Sequence, residues 1–375
     1  STAKSAGTDT LIDKRGVACS GTVSVVDLKA GREIAQIETG LHPSDMEISR
    51  DGHYLYVANA NSDTISVINL LTNKTVESIL VRPDKSLPFG SAPNGLELSK
   101  NGKVLYAANG GNNAIAVIEL GDGKRKQSTV QGFIPTAWYP SAIATDGKNL
   151  FTANTKGFGS RGTGPDTKKW TSWNLCGTVG KVGIPNQQTL KRYTARVLSE
   201  SRVPQILKAI EKASSKEKPV PVPARLGQIS VFDHVVYIIK ENKTYDQMFG
   251  DMPKGNNDPS LCIYGNEVTP NHHALATQFV LLDNFYCNGV CSADGHSWST
   301  EGHVTDHLEK SFGGFTRSYT FGDDPLTYSS SGLIWDNVIS NGLSFRNYGE
   351  MDYATPTPSA TWTQVYEDYI AKTGK

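Results

Sequence analysis

The sequence predicts a mixed fold: a series of short antiparallel β units, then an α/β unit with a mostly parallel sheet. Two observations predict it. The first half repeats itself at a period of about 50 residues, and each repeat breaks its apolar runs with an Asp-Gly or Asn-Gly pair. The second half holds two continuous apolar runs, VVYIIK and FVLLDNFY, and each gives way to polar residues able to do chemistry.

The repeats are HPSDMEISRDGHYLYVANANSDTISVINL (42–70), APNGLELSKNGKVLYAANGGNNAIAVIEL (92–120) and the weaker YPSAIATDGKNLFTAN (139–154). Pro43, Pro93 and Pro140 recur in register, as do Asn59, Asn109 and Asn154. Each unit reads as a short strand, a turn pair and a second strand. The pairs Asp51-Gly52, Asn101-Gly102 and Asp146-Gly147 supply the positive φ that tight hairpins require. TISVINL and AIAVIEL alternate apolar and polar residues and predict a third strand. GTVSVVDLKAGREIAQIETG reads as the end of a preceding unit. A period of this length marks a propeller or another repeat array, and the units resemble YVTN-type blades of seven-bladed β-propellers. Three blades are legible, with a partial fourth at 177–194. A closed ring takes more blades and an open one leaves raw strand edges. The expectation is therefore an incomplete ring, its other blades lying upstream or on another chain.

The blades are assigned to residues 1–188, a helical connector with a Pro-rich linker to 189–228, and the α/β domain to 229–375. In the connector, Ile206, Leu207 and Ile210 fall at helical spacing, and Pro204 suits a first helical turn. KEKPVPVPAR reads as a semi-rigid linker. FGSRGTGPDTKKWTSWNLCG is rich in Gly and polar residues and reads as a long loop off the third or last blade.

VVYIIK is the kind of run that a parallel sheet buries on both faces. It ends at Glu241-Asn242, where open α/β sheets place their ligands. Both residues offer oxygen donors to a divalent cation. KTYDQMFGD reads as a short helix or turn. FVLLDNFY leads into CSADGHSWST, which puts Ser292, Asp294, His296, Ser297 and Ser299 close together. Residues 303–310 read as helix, so Ser292 lies between a strand end and a helix start, where N–H groups can hold an anion. Asp294, Ser297, Ser299 and Thr300 read as caps or loop supports. His303 and His307 have the i, i+4 spacing of metal ligands, but no Glu completes a HExxH pattern. His272-His273 reads as a loop pair. LSFRNYGEMDY reads as the next strand.

ENKTYDQMFGD, TPNHHALATQFVLLDNFY and SADGHSWST together resemble the amino-terminal half of a bacterial phosphoesterase family. That family belongs to the alkaline phosphatase superfamily and includes acid phosphatases and phospholipases C. The resemblance covers the last two-fifths of the chain. It implies an incomplete sheet of alkaline phosphatase type and a phosphoric ester hydrolase. It implies that Glu241, Asn242 and Ser292 are metal ligands, with Ser292 also the nucleophile that becomes seryl-phosphate. His296 matches a His that orients the loop or touches phosphate. One or two divalent ions, Zn or similar, are implied as cofactor. Further Asp and His ligands are implied downstream, yet no Asp-His-rich stretch follows Glu350. A second chain or fragment is therefore expected to complete both domains. The alternative is a non-catalytic, propeller-based binding or scaffold protein with a degenerate phosphatase-like domain.

Composition narrows the partners. Thirty-seven basic and 37 acidic residues give a formal charge of zero, which offers nucleic acid no electrostatic footprint. No apolar stretch approaches the ~20 residues of a membrane span. The expected location is secreted or periplasmic, with a targeting segment removed or missing. Five cysteines cannot all pair internally; Cys262 with Cys287 or Cys291 is one reading, and buried free thiols the other.

Overall fold

The computed structural model describes residues 1–5, 7–121, 126–159, 176–213, 217–311 and 324–351, with 363, 367, 370 and 371. The long loop predicted after the third repeat falls largely outside the described residues.

Two hairpins come first: β1 (Thr2–Ser5) with β2 (Thr8–Leu11), and β3 (Gly21–Asp27) with β4 (Arg32–Thr39). A four-stranded antiparallel meander follows, formed by β5 (Pro43–Ile48), β6 (Tyr54–Asn59), β7 (Thr64–Asn69) and β8 (Lys74–Leu80). A second repeats it with β9 (Pro93–Leu98), β10 (Val104–Asn109), β11 (Ala114–Glu119) and β12 (Thr129–Pro135). The third has three strands, β13 (Trp138–Thr145), β14 (Asn149–Gly157) and β15 (Thr178–Gly183). Among the described residues the five sheets are separate and none closes on itself.

The repeat is visible in the backbone. Gly52, Gly102 and Gly147 take φ of 73°, 69° and 88° in the predicted hairpin turns. His42, Ala92 and Tyr139, each directly before a repeat proline, also have positive φ. Asp63 and Asn113 stand at equivalent positions and do equivalent work. The buried Asp63 carboxylate accepts from the N–H groups of Gly90, Ser91 and Ala92 at 2.8–3.1 Å and from Arg82 Nε at 2.7 Å. Asn113 Oδ1 accepts from Tyr139 N–H at 2.9 Å. One side chain in each turn thus ties its meander to the start of the next.

Alternation along the strands sends side chains to both faces. Ala58, Ile65, Leu98, Leu105 and Ile118 meet in one core between the first two meanders, while Tyr106, Ile115, Ile134 and Leu150 meet in another. Full burial of each large aliphatic side chain is worth about 1.5–3 kcal/mol. The helix α1 (Gln187–Glu200) lays Leu190 and Val197 along β12, and its Thr194 Oγ accepts from Phe133 N–H at 2.9 Å. This corrects the partial fourth blade predicted at 177–194. Thr178–Gly183 is the outer strand of the third sheet, and Asn186 caps a helix whose apolar residues recur at helical spacing. A second helix, α2 (Val203–Ile210), has Pro204 in its first turn, as the sequence predicts.

Among the described residues the second half includes the short helices α3 (Tyr245–Phe249), α4 (Pro270–Gln278), α5 (Ser292–Thr300), α6 (Asp306–Glu309) and α7 (Ile334–Ser340). Among the described residues the predicted parallel strands do not form. Residues 235–240 and 279–286 belong to no strand, and Val235 and Val280 are 85% and 84% exposed. A strand is held by ladder partners on its edges, and here neither run has one. Residues 343–351 are not a strand either. Asn347 Oδ1 accepts from the N–H groups of Gly349 and Glu350, a local turn that competes with extended pairing. The helix predicted over 303–310 shortens to α6, because Thr305 caps it at Asp306. His272 and His273 lie on α4 rather than in a loop. Cys262 is a free thiol, so the bridge considered for it is not made. Among the described residues no helix is long and apolar enough to cross a membrane.

The two halves meet at α6. Asp306 is fully buried and accepts the Tyr139 hydroxyl at 2.7 Å. Its other oxygen lies 3.2 Å from His42 Nε2 and 3.0 Å from Lys310 Nζ. His42 and Tyr139 occupy the same position in the first and third repeats. Burial opposes charge on Asp306, but the His42, Lys310 and Tyr139 groups outweigh it and hold the carboxyl well below its usual range.

Candidate active site

The site is assembled from three segments. The first is the extended run at 235–240, held against α5 by Tyr237 O–H donating to the Ser299 carbonyl at 3.1 Å. It delivers Glu241 and Asn242 at its end. Gln247 accepts from Thr244 N–H at 3.0 Å and starts α3 immediately afterwards. Asp251, at the close of the same motif, accepts from Asn266 N–H at 2.7 Å and faces His273 Nε2 at 2.8 Å. Those contacts hold its carboxyl below the usual range. Asp251 and His273 thereby fasten α4 to the motif, and their role here is structural.

The second segment is α5, which begins at Ser292 itself. Asp294 makes that start. Its buried carboxylate accepts from Val290 N–H at 2.6 Å and Cys291 N–H at 2.9 Å. Burial pushes its carboxyl above the usual range despite those two donors. Ala293, Val304 and Leu308 form a small core beneath the helix, with Trp298 packed against it. Gly289 lets the incoming loop approach closely, since a Cβ there would lie 2.7 Å from Gly295 N.

The third segment is the Asn347 turn, which presents Glu350. The resulting array links five side chains. Ser292 Oγ–H donates to Glu241 Oε1 at 3.4 Å, and Asn242 Nδ2 lies 3.4 Å from the same oxygen. His296 Nε2 stands 3.3 Å from Glu241 Oε2, and its Nδ1 stands 2.6 Å from Glu350 Oε1. Both ring nitrogens face carboxylates, so only the doubly protonated ring donates to both. Ser292 and Glu241 are exposed.

All four predicted residues, Glu241, Asn242, Ser292 and His296, lie within one site. Glu350 is a member that sequence reasoning missed. The only signal was its place in NYGE, a turn sequence with no chemistry of its own. His303 and His307 do not reach this array. His303 is buried against Phe89, and its burial pulls the ring down to about 4; His307 lies 3.9 Å from Asp324.

A cation here would meet the Glu241 carboxylate and Ser292 Oγ, and Asn242, whose amide nitrogen faces Glu241, would have to turn its amide to add its oxygen. That set of hard oxygen donors suits a divalent ion, although among the described residues no group of three or more His, Cys, Asp or Glu has the arrangement of a metal centre.

No family model matches the chain, and no curated protein matches it. Solved structures do match, and among them is hydrazine synthase of Kuenenia stuttgartiensis, 28% identical over 36% of this chain and 36% of that one. Its TM-score of 0.29 carries no inference about fold or activity.

Proposed function

We propose that the chain carries the nucleophile portion of a metal-dependent phosphoesterase, borne beside propeller-type blades. The observation that supports it most is the contact of Ser292 Oγ with Glu241 Oε1, across 51 residues of sequence. The two motifs that resemble the alkaline phosphatase superfamily are adjacent in space, with the matching His296 between them and Glu350. The repeating meanders, tied turn to turn by Asp63 and Asn113, support blades of YVTN type.

In this reading Ser292 Oγ attacks phosphorus and the bond from phosphorus to the leaving oxygen breaks. Water then hydrolyses the seryl-phosphate and regenerates the hydroxyl. Glu241 Oε1 stands where the Ser292 proton departs. His296, steadied by Glu350, orients Glu241. Ser292 opens α5, and the positive end of a helix dipole favours an anionic phosphoryl group there. A divalent cation held by Glu241, Asn242 and Ser292 would offset the charge developing on the attacking and phosphoryl oxygens.

The non-catalytic scaffold reading has one observation in its favour: both Glu241 oxygens already face protein groups, Ser292 and His296. Turnover of p-nitrophenyl phosphate with added Zn, Mg, Mn or Ca separates the two. Ser292→Ala is expected to lower kcat by about a thousandfold or more, roughly 4 kcal/mol of barrier. Full turnover in that variant would remove Ser292 as nucleophile.

A further inference from the structure

Lys156, on β14, is fully buried and lies far in sequence from every motif of the second half. Its ammonium crosses to that half. It forms an ion pair with Glu309 of α6, donates to the Asn288 carbonyl at 3.2 Å, and sits 4.9 Å from the Trp138 ring centre. A buried ammonium is tolerated only where such partners replace water.

Asn288 lies four residues before Ser292. Between them, Val290 and Cys291 give their N–H groups to Asp294. Lys156 also acts on Asp294 through space, opposing the upward push of burial. The loop is therefore held at two points, at Asn288 by a cation from the third sheet and at 290–291 by its own carboxylate. Gly289 allows the close approach to Gly295 that both require.

We propose that Lys156 is a positioning residue for Ser292: a side chain of the repeat half sets where α5 begins, and hence where the hydroxyl stands relative to Glu241. The geometric part stands without any activity; the consequence for turnover rests on the phosphoesterase reading.

The test uses the full chain carrying Lys156→Met. Burial pushes the Glu309 carboxyl up to about 7 despite the ammonium beside it, so without Lys156 it can take up a proton rather than remain a buried charge. Should that variant fail to fold, Lys156→Met with Glu309→Gln leaves no unpaired charge and serves instead. Amide hydrogen exchange at Val290 and Cys291 is expected to quicken about tenfold or more, while amides of β6 and β10 keep their protection. With p-nitrophenyl phosphate and a divalent cation, kcat is expected to fall while KM holds. Unchanged exchange at those two amides in a folded variant would overturn the proposal. Quickened exchange in a protein whose wild type turns over no ester would sustain the positioning role and sink the phosphoesterase reading alone.

Discussion

His296 Nδ1 and Glu350 Oε1 lie 2.6 Å apart, joining α5 to a turn 54 residues further along the chain. The same ring reaches Glu241 with its other nitrogen, so Glu350 fixes the plane in which His296 meets the carboxylate beside Ser292.

Glu350→Ala frees that ring. Loss of a supporting partner of this kind costs a catalytic array about ten- to a hundredfold in activity. Turnover of p-nitrophenyl phosphate is expected to drop by that order in kcat with KM little changed. Wild-type kinetics in the variant would remove His296 and Glu350 from the working site.

Asp63→Ala strips one buried acceptor from three backbone N–H groups and Arg82. Removing one partner of a buried ionic network costs about 3–5 kcal/mol. Chemical denaturation should show a loss of that size. A change below about 1 kcal/mol would mean that water replaces the carboxylate and that the tie between meanders is weak.

Tyr139→Phe removes the hydroxyl that donates to buried Asp306 at 2.7 Å. The expected loss is about 1–3 kcal/mol, because the carboxylate keeps its charge and loses a donor. His42→Ala disturbs the same carboxylate from the equivalent repeat position. Because both variants act on one group, their effects should not add, and a double-mutant cycle measures the coupling. Strict additivity would show that the two repeats do not converge on Asp306.

Glu301 ends α5 with Oε2 accepting Ser329 N–H at 2.9 Å and Oε1 buried without a hydrogen-bond partner among the described residues. Burial pushes its carboxyl up to about 7 from 4.5. The folded chain therefore keeps a proton that the unfolded chain has released between those values. The stability this confers is full below pH 4.5 and is lost as pH rises through 7. Glu309 acts in the same direction, whereas His303 acts oppositely and weakens the fold as pH falls from 6.5 to about 4. Denaturation midpoints of wild type and Glu301→Gln across pH 4 to 8 isolate the Glu301 share. The two are expected to converge at high pH less than at low pH, with the wild type losing more stability on the way up. Parallel profiles would show that Glu301 stays ionised in the fold.

The repeats, their hairpins and their apolar alternation were legible in the residues because each is local: an Asp-Gly pair and a strand period act over a few positions. Glu241, Asn242, Ser292 and His296 were legible as two motifs, since each motif is contiguous. Strand pairing in the second half was not, because an apolar run becomes a strand only when another segment lines its edge, and residues 235–240 and 279–286 find none among the described residues. Glu350, Lys156 and the meeting of His42 and Tyr139 at Asp306 were likewise decided by tertiary structure alone. A carboxylate in a turn, a lysine late in a strand or a residue before a proline has no distinguishing neighbours in sequence. Each acquires its role through burial and through partners brought from distant segments, at distances that only the packed chain sets.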